Sequence, residues 1–326
     1  MRRKSNSYAK YGYIFCIPFV LAFLFFQLYP IIYTGVIGFT DLKGLGNTEW
    51  HFLKDPFKNF ALIMKNPSFK TSLYNTVYIW ILNFIPQIVL ALLLTAWFTS
   101  HRNKIKGQGA FKVIFYMPNI ITAATIAILF NQLFGYPIGP VNDILTHLHI
   151  IKEPQNFPVD RGVSQGVVAF IQFWMWYGYT MIILISGVLG MNPELFEASE
   201  IDGASSIQTF FFVTLPNLRT ILLFTLITSM IGGLQMFDIP RLYLNGQPDN
   251  ATLTTSLFIF NQAFQGSYLY NRASAASLIM FVLIGILAAI VFYLMRDKYA
   301  IQQSKAIKKM KKANRIAQKA AAKEVA

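Results

Sequence analysis

Charged residues are scarce in this sequence of 326 residues. Asp, Glu, Lys and Arg make up 13% of it, whereas ordinary soluble domains carry about 25%. Cysteine is nearly absent too: Cys16 is the only one, so no disulfide can form within these residues. Hydrophobic residues reach 55% and aromatic residues 16%. This composition indicates a protein that crosses a membrane several times.

Patterns for nucleotide, metal or covalent chemistry are also missing. The phosphate-binding pattern G-x-x-x-x-G-K-[ST] does not occur. The four histidines include His51, His101 and the pair His147 and His149, none of them in a cluster at metal-site spacing. A solvated loop explains the pair better than a ligand site. We therefore predict no catalytic residues, no metal and no cofactor on this chain, and energy for any uphill transport must come from a partner.

The net charge of +14 raises the question of nucleic-acid binding, but the positions of the cations argue against it. Ten of the 28 Lys and Arg residues lie at or beyond Arg296, and four lie at or before Lys10. Such terminal clusters are typical of membrane-flanking charge on the cytoplasmic side.

Six apolar stretches are long enough to span a bilayer, each near the ~20 residues required. The predicted spans are 11–39, 72–99, 113–134, 163–189, 221–237 and 273–295. An interfacial helix is predicted around 56–64. Six spans put both termini on one side, and that side collects 19 of the 28 cations. We therefore expect both termini, and residues 192–216, in the cytoplasm.

The segment Asn192–Pro216 is the longest break in hydrophobicity that still has helical features. Asn192 and Pro193 suit the start of a helix, and three glutamates follow at three-residue spacing (Glu194, Glu197 and Glu200). Gly203 then suits a left-handed helix end. Ser205 or Ser206 can cap a second helix toward Pro216. A plain polar loop is the alternative on these features alone.

The spacing of this segment resembles the EAA loop of ABC importer membrane subunits. The resemblance rests on Glu197-Ala198-Ser199, Asp202-Gly203-Ala204, Phe210 and Leu215-Pro216. Ser199 departs from the alanine usual in the family. Other stretches are similar to sugar-type importer permeases, among them NTVYI at 75–79, MPNIITAATIAILFNQLFG at 117–135 and FDIPRLYLNGQPDNATLT at 237–254.

The resemblance implies an all-α integral membrane fold, the transmembrane domain of a type I ABC importer with a cytoplasmic coupling helix. It divides the chain into a basic head (1–10), a first span (11–39), an importer domain (72–295) and a basic tail (296–326). It further implies a bacterial cell-membrane location and several partners: a second permease, an ATPase dimer that binds ATP and Mg²⁺, an external solute-binding protein, and a sugar or oligosaccharide.

The resemblance also suggests residue roles. Glu197 would contact a basic residue of the ATPase, and Gly203 would make the turn. Asp202 would hold that turn or cap a helix. The small residues Ala198 and Ala204 would let the helix enter its groove, and Leu215-Pro216 would end the segment.

A sugar path requires aromatic faces and polar groups. Two helix faces carry such residues, and both lie on spans that flank segment 192–216. The resemblance to maltose permeases implies that these stretches line the sugar site. Packing in the core or against lipid is the alternative for each residue. Gly232-Gly233 and Met236 stand where larger polar residues occur in those permeases, which predicts a wider groove. The candidates are Met175, Trp176 and Tyr179 on the fourth span and Ser229, Gly233 and Met236 on the fifth.

An ion-coupled secondary transporter is the main alternative function, and a channel is the second. Ion-coupled carriers usually hold ionisable residues inside their spans, and the centres of the six predicted spans contain none. Asp238 and Arg241 come nearest, and we expect them to pair with each other. The hypothesis of a channel does not explain the residue spacing in segment 192–216.

Overall fold

The computed structural model describes residues 9–100, 106–266, 268–295 and 310. Regular structure in these residues is helical, apart from one isolated antiparallel bridge between Thr40 and Phe52. The predicted all-α fold is confirmed. Nearly all of the predicted basic head and tail, together with Arg102 and Lys104, lies outside the described residues.

Fifteen α-helices occur in the described ranges. In chain order they are α1 (Ala9–Phe23), α2 (Tyr29–Ile37), α3 (Lys58–Lys65), α4 (Pro67–Phe98), α5 (Gln108–Ile120), α6 (Ala123–Leu133), α7 (Pro140–His147), α8 (Arg161–Leu189), α9 (Glu194–Ile201), α10 (Ser206–Thr209), α11 (Leu215–Asn217), α12 (Arg219–Leu234), α13 (Asp238–Tyr243), α14 (Thr255–Phe264) and α15 (Tyr270–Met295). Two π-helical turns, Leu24–Leu28 and Phe210–Thr214, and a 3₁₀ turn, Phe157–Val159, complete the set.

Five helical stretches of the described residues are long and apolar enough to cross a membrane, and the number is six if the bent pair α5 and α6 is counted as one span. The predicted third span, 113–134, is therefore wrong as a continuous helix: α5 and α6 are bent by 89° at a short break. Ile121 ends α5 in an extended conformation with ψ 137°. Ile121 and Thr122 are both β-branched, which favours extended backbone over helix.

The other spans start and end within a few residues of the prediction. The first runs from Tyr11 to Ile37 and passes through the π-helical turn at Leu24–Leu28. The second begins at Pro67 instead of Ser72, and α12, the helix of the fifth span, ends at Leu234. The helix predicted around 56–64 is present as α3.

The chain forms two compact units. The first comprises Met1–Ile79, Ala123–Val168 and Leu234–Ile284. Its core is a buried apolar cluster on α3, α4, α14 and α15 that includes Ile63, Phe69, Leu257 and Phe258. Between membrane-spanning helices, such side chains stabilise the fold through van der Waals packing.

Two motifs that are far apart in the sequence meet inside this first unit. The buried Asn75 side chain donates to the carbonyls of Asn250, at 2.6 Å, and Leu253, at 3.2 Å. Gln165 donates to Asn75 Oδ1 at 3.1 Å and to the Ala251 carbonyl at 2.9 Å. These bonds satisfy buried backbone carbonyls of a loop that lacks regular structure. They hold the loop after α13 in one conformation.

The second unit comprises Trp80–Thr122, Ala169–Gly233 and Gly285–Ala326. Its core lies on α4 and α8, where Ala91, Tyr177, Met181 and Leu184 are buried together. The whole segment 192–216 belongs to this unit.

Candidate functional site

The first arm of segment 192–216 is α9, whose N-terminus is held by Asn192. The Asn192 Oδ1 accepts a hydrogen bond from the Glu194 N–H at 3.2 Å, and its Nδ2 donates to the Glu194 carboxylate at 3.0 Å. Pro193 precedes the helix with φ −55° and ψ −32°. Proline has no N–H to satisfy at this position, so it costs nothing. The predicted helix start is confirmed.

A glycine turn ends this arm. Gly203 has φ +74°, which only glycine adopts without a steric penalty. The Gly203 N–H donates to the Glu200 carbonyl and the Ala204 N–H to the Ser199 carbonyl, both at 3.0 Å. Together these bonds form a Schellman motif, which satisfies the last carbonyls of α9. The Asp202 side chain makes no hydrogen bond to a described residue. It therefore does not hold this turn by hydrogen bonding as expected.

The second arm begins with a capping box. Ser205 Oγ accepts from the Gln208 N–H at 3.3 Å, and the Ser205 N–H donates to Gln208 Oε1 at 2.8 Å. The arm is not one continuous α-helix, because the turn Phe210–Thr214 is π-helical. Pro216 follows within two residues and lacks an N–H, so the helical bonding pattern changes just before it.

Ser199 joins the two arms. Its side chain is buried, and its hydroxyl donates to the Phe196 carbonyl at 2.8 Å. It also lies 3.2 Å from Thr209 Oγ1, on the second arm. The serine that departs from the family pattern therefore has a partner that alanine would lack.

Phe196 anchors the segment to its own unit by forming a buried apolar cluster with Val188, at the end of α8, and Leu218. A small cavity of about 40 Å³ lies under the segment and carries six hydroxyl groups. Its polar lining is Thr99, Ser100, Ser199, Glu200, Ser206, Thr209 and Thr214.

The exposed surface of the segment is acidic. The exposed residues include four carboxylates, none of which forms an ion pair with any described residue: Glu194, Glu197, Glu200 and Asp202. Ala198 and Gly203 are exposed between them, and Ile201 is 87% exposed. Among the other predicted coupling residues, Ala204 and Leu215 are partly buried and Pro216 is exposed.

Arg219, one of the 19 cations assigned to the cytoplasmic side, also has a structural contact. Its Nε donates to the carbonyl of Met295, the last residue of α15, at 3.1 Å. A cation at a helix C-terminus satisfies a free carbonyl and complements the helix dipole. No local sequence signal predicts this bond, since 76 positions separate the two residues.

On α8, two of the three predicted path residues face outward. Trp176 and Tyr179 are exposed, and their rings meet edge to face with centroids 5.8 Å apart. Ser186 continues the same exposed stripe. Met175 instead is buried, and its carbonyl accepts a hydrogen bond from Asn119 of α5 at 3.2 Å.

On α12, the exposed stripe is shifted by one residue from the predicted face. Thr228 and Gly232 are exposed, whereas Ser229 and Gly233 are partly buried. A Cβ at Gly233 would overlap the Trp80 indole, while a Cβ at Gly232 would meet open space. The expectation of a wider groove is therefore wrong at Gly233, because Trp80 fills that space.

Beyond α12, Gln235 is exposed and Met236 is buried. The expectation that Asp238 and Arg241 pair with each other is wrong. Arg241 donates to Asn245 Oδ1 at 2.5 Å and lies over the ring of Phe260, 5.0 Å from its centroid. Asp238 forms no ion pair with a described residue.

A family model for the binding-protein-dependent transport system inner membrane component matches residues 60–300. The chain belongs to this family. It is a transport permease subunit and not an enzyme, and ATP hydrolysis belongs to a separate chain. It is an inner-membrane protein that crosses the membrane several times. The alternative of an ion-coupled secondary transporter has no support.

Two relatives are each 30% identical to this permease. The lactose transport system permease protein LacF of Rhizobium radiobacter aligns over 88% of this chain and 94% of its own length. The multiple sugar-binding transport system permease protein MsmF of Streptococcus mutans serotype c aligns over 89% and 96%.

Solved structures show the same fold. A bacterial ABC transporter involved in the import of the acidic polysaccharide alginate matches with a TM-score of 0.72 and 21% identity, over 87% of this chain and 94% of that chain. The alginate transporter in complex with an alginate pentasaccharide-bound periplasmic protein matches with a TM-score of 0.73 and 20% identity, over 87% and 93%. Permeases of this kind work with another permease, an ATPase and a binding protein.

Proposed function

We propose that this permease is one of two membrane subunits of an ATP-driven importer of sugars or oligosaccharides. The geometry of segment 192–216 supports the proposal best: a short helix, tied down by Phe196 and ended by a Schellman turn at Gly203, exposes carboxylates that form no ion pair with a described residue. A rigid element of this kind can transmit force between two bodies. The relatives named for lactose and multiple sugars support the cargo class.

In this proposal, both termini and segment 192–216 lie in the cytoplasm, as the distribution of Lys and Arg favours. The segment docks on an ATPase dimer, which binds ATP and Mg²⁺. Glu197 contacts a basic residue of the ATPase, and Ala198 allows close approach because its side chain is small. Ala204, Leu215 and Pro216 keep the second arm in place.

The sugar path, in this proposal, runs along the exposed stripes of α8 and α12. Trp176 and Tyr179 offer aromatic faces for sugar rings, and Thr228 offers a polar group. An external solute-binding protein delivers the sugar to the two permeases.

The first test is purification of the tagged chain in mild detergent with identification of the proteins that accompany it. We expect one P-loop ATPase and one second permease, in comparable amounts. Recovery of the chain alone, with transport activity in vesicles that needs no ATP, would contradict the proposal.

A second test addresses the coupling role. Glu197→Lys reverses the charge at the centre of the exposed acidic surface, so we expect the ATPase to hydrolyse ATP without sugar uptake. Glu153→Lys is the matched control, since it reverses an exposed carboxylate in the loop between α7 and α8. Normal uptake by Glu197→Lys, or equal loss in both variants, would exclude this role.

A further inference from the structure

The connector, residues 38–70, joins α2 to the first turn of α4 and includes α3. It is a folded element. The side chain of Asn59 is buried and donates to the carbonyls of Gly38 and Thr40, both at 2.9 Å. Asn271 donates to the same Thr40 carbonyl at 3.3 Å. Thr40 also forms the bridge with Phe52. The backbone of this connector is therefore held in a defined conformation.

The connector is attached to membrane-spanning helices at both ends. The first span ends at Ile37, and α3 ends at Lys65, so only Asn66 separates it from α4 at Pro67. The 32 residues of α4 give a rod of about 48 Å, longer than the ~30 Å of hydrocarbon in a bilayer. A helix of this length reaches beyond the hydrocarbon core. Because the connector joins the end of one span to the start of the next, it lies near the surface of the bilayer.

Large apolar side chains of this connector point away from the protein. Leu45 is 73% exposed, Phe52 67% and Phe57 68%. On α3, Asn59 and Ile63 are buried, whereas Leu62 and Met64 are exposed. A helix with one apolar face toward the protein and further apolar groups outward fits the boundary between headgroups and acyl chains.

Cations alternate with these apolar groups. Five exposed lysines outnumber the two exposed carboxylates of residues 43–70, Glu49 and Asp55. None of the lysines forms an ion pair with a described residue: Lys43, Lys54, Lys58, Lys65 and Lys70. On α3 the exposed residues Lys58, Leu62 and Lys65 share one face. A lysine can bury its methylene stem along an apolar surface and keep its ammonium group among polar groups.

We propose that residues 43–70 form a binding surface for anionic phospholipid. The ammonium groups bind headgroup phosphates, and the exposed apolar side chains enter the edge of the acyl region. This assignment does not depend on the transported cargo. It differs from the role of segment 192–216, which is acidic and would be repelled by the same headgroups.

The segment 136–159 provides an internal comparison. It also exposes large apolar residues, among them Ile138, Leu148 and Ile150. Its only Lys or Arg is Lys152, beside Glu153, so it lacks the repeated cations that anionic lipid would bind. Lys152 is exposed and serves as a control position.

The test measures lipid retained by the purified full-length protein, with its partners, in nanodiscs of phosphatidylglycerol and phosphatidylcholine. Native mass spectrometry of the released complexes counts each lipid. Replacing Lys54, Lys58 and Lys65 by Gln should lower the preference for phosphatidylglycerol by about fivefold for each lysine. Replacing the same three lysines by Arg should retain the preference, and Lys152→Gln should leave it unchanged.

Unfolding temperatures equal to that of the unchanged protein establish that the variants are folded, as expected for exposed positions. An unchanged lipid preference in the triple Gln variant would overturn the proposal. So would loss of a co-purifying protein from that variant while its lipid preference persists, because the surface would then bind protein. Sugar uptake is not the readout, so failure here is separate from failure of the importer proposal.

Discussion

Segment 192–216 and the exposed face of α12 belong to the same compact unit. The conformation of the segment depends on residues nearby in the sequence, whereas the exposed face of α12 depends on a residue far away in it. In the segment, Gly203 adopts φ +74° and Ser205 caps the second arm, and both features depend on residues within five positions. On α12, the exposed stripe passes through Thr228 and Gly232 instead of Ser229 and Gly233. That outcome depends on Trp80, which is far away in the chain. Local signals thus define a turn, while the orientation of a helix depends on its neighbours.

The largest expected effect would break the turn itself. Gly203→Pro replaces a residue at φ +74° with one restricted to about −65°, and it removes the N–H that binds the Glu200 carbonyl. We expect sugar uptake to fall about a hundredfold, the equivalent of a cost of ~3 kcal/mol, while ATP hydrolysis and membrane insertion continue. Uptake and ATPase assays on reconstituted importer measure both.

Gly203→Ala is the graded control for that change, since alanine in the left-handed region costs only about 1–2 kcal/mol. Sugar uptake by Gly203→Ala should lie between that of Gly203→Pro and that of the unchanged protein. Full uptake by Gly203→Pro would show that the turn has no part in coupling.

A smaller effect tests the exposed aromatic stripe. Trp176→Ala removes an exposed aromatic ring and its edge-to-face contact with the ring of Tyr179. If sugars stack on this stripe, we expect uptake at low sugar concentration to fall roughly fivefold to thirtyfold, the equivalent of about 1–2 kcal/mol.

Phe170→Ala is the matched control for Trp176→Ala, because Phe170 is an exposed aromatic residue of the same helix. Equal losses in the two variants would favour a general packing effect over a sugar path.

The adjacent glycines of α12 separate packing from exposure. Gly233→Ala forces the Trp80 indole to move, and overpacking of this kind costs about 1–3 kcal/mol. Gly232→Ala meets open space and should be neutral or stabilising by up to about 1 kcal/mol, as for exposed helix positions. Thermal unfolding in detergent measures both, and the reverse order would contradict the packing described for Trp80.

The smallest effect concerns the contact between the two arms. Ser199→Ala removes the hydroxyl that lies 3.2 Å from Thr209 Oγ1 and should cost about 0.5–1.5 kcal/mol. We expect a small decrease in unfolding temperature and a modest loss of coupling. Ser277→Ala, at a hydroxyl on α15 that donates within its own helix, is the control. Identical unfolding temperatures for the two variants would show that the Ser199 contact adds no stability.

Sequence information was sufficient for long apolar spans, but it did not predict a bend within one of them or the partners of Arg241. The spans at 163–189 and 273–295 follow from long apolar runs, and the structure places α8 and α15 there. The bend between α5 and α6 was missed, because the run 113–134 is apolar throughout and apolarity does not report direction. Arg241 was expected to pair with Asp238, but the neighbouring Asn245 and Phe260 are its partners.

The amino-acid sequence by itself determined the membrane class, the approximate spans and the helix–glycine–helix form of segment 192–216. Apolar length, helix capping and the freedom of glycine act over a few residues, so they are readable from the chain. Only the tertiary structure decided which side chains of α8 and α12 are exposed, and that Asn75 holds the loop at 250–253. These features arise from contacts between residues far apart in the chain, and no local pattern encodes them.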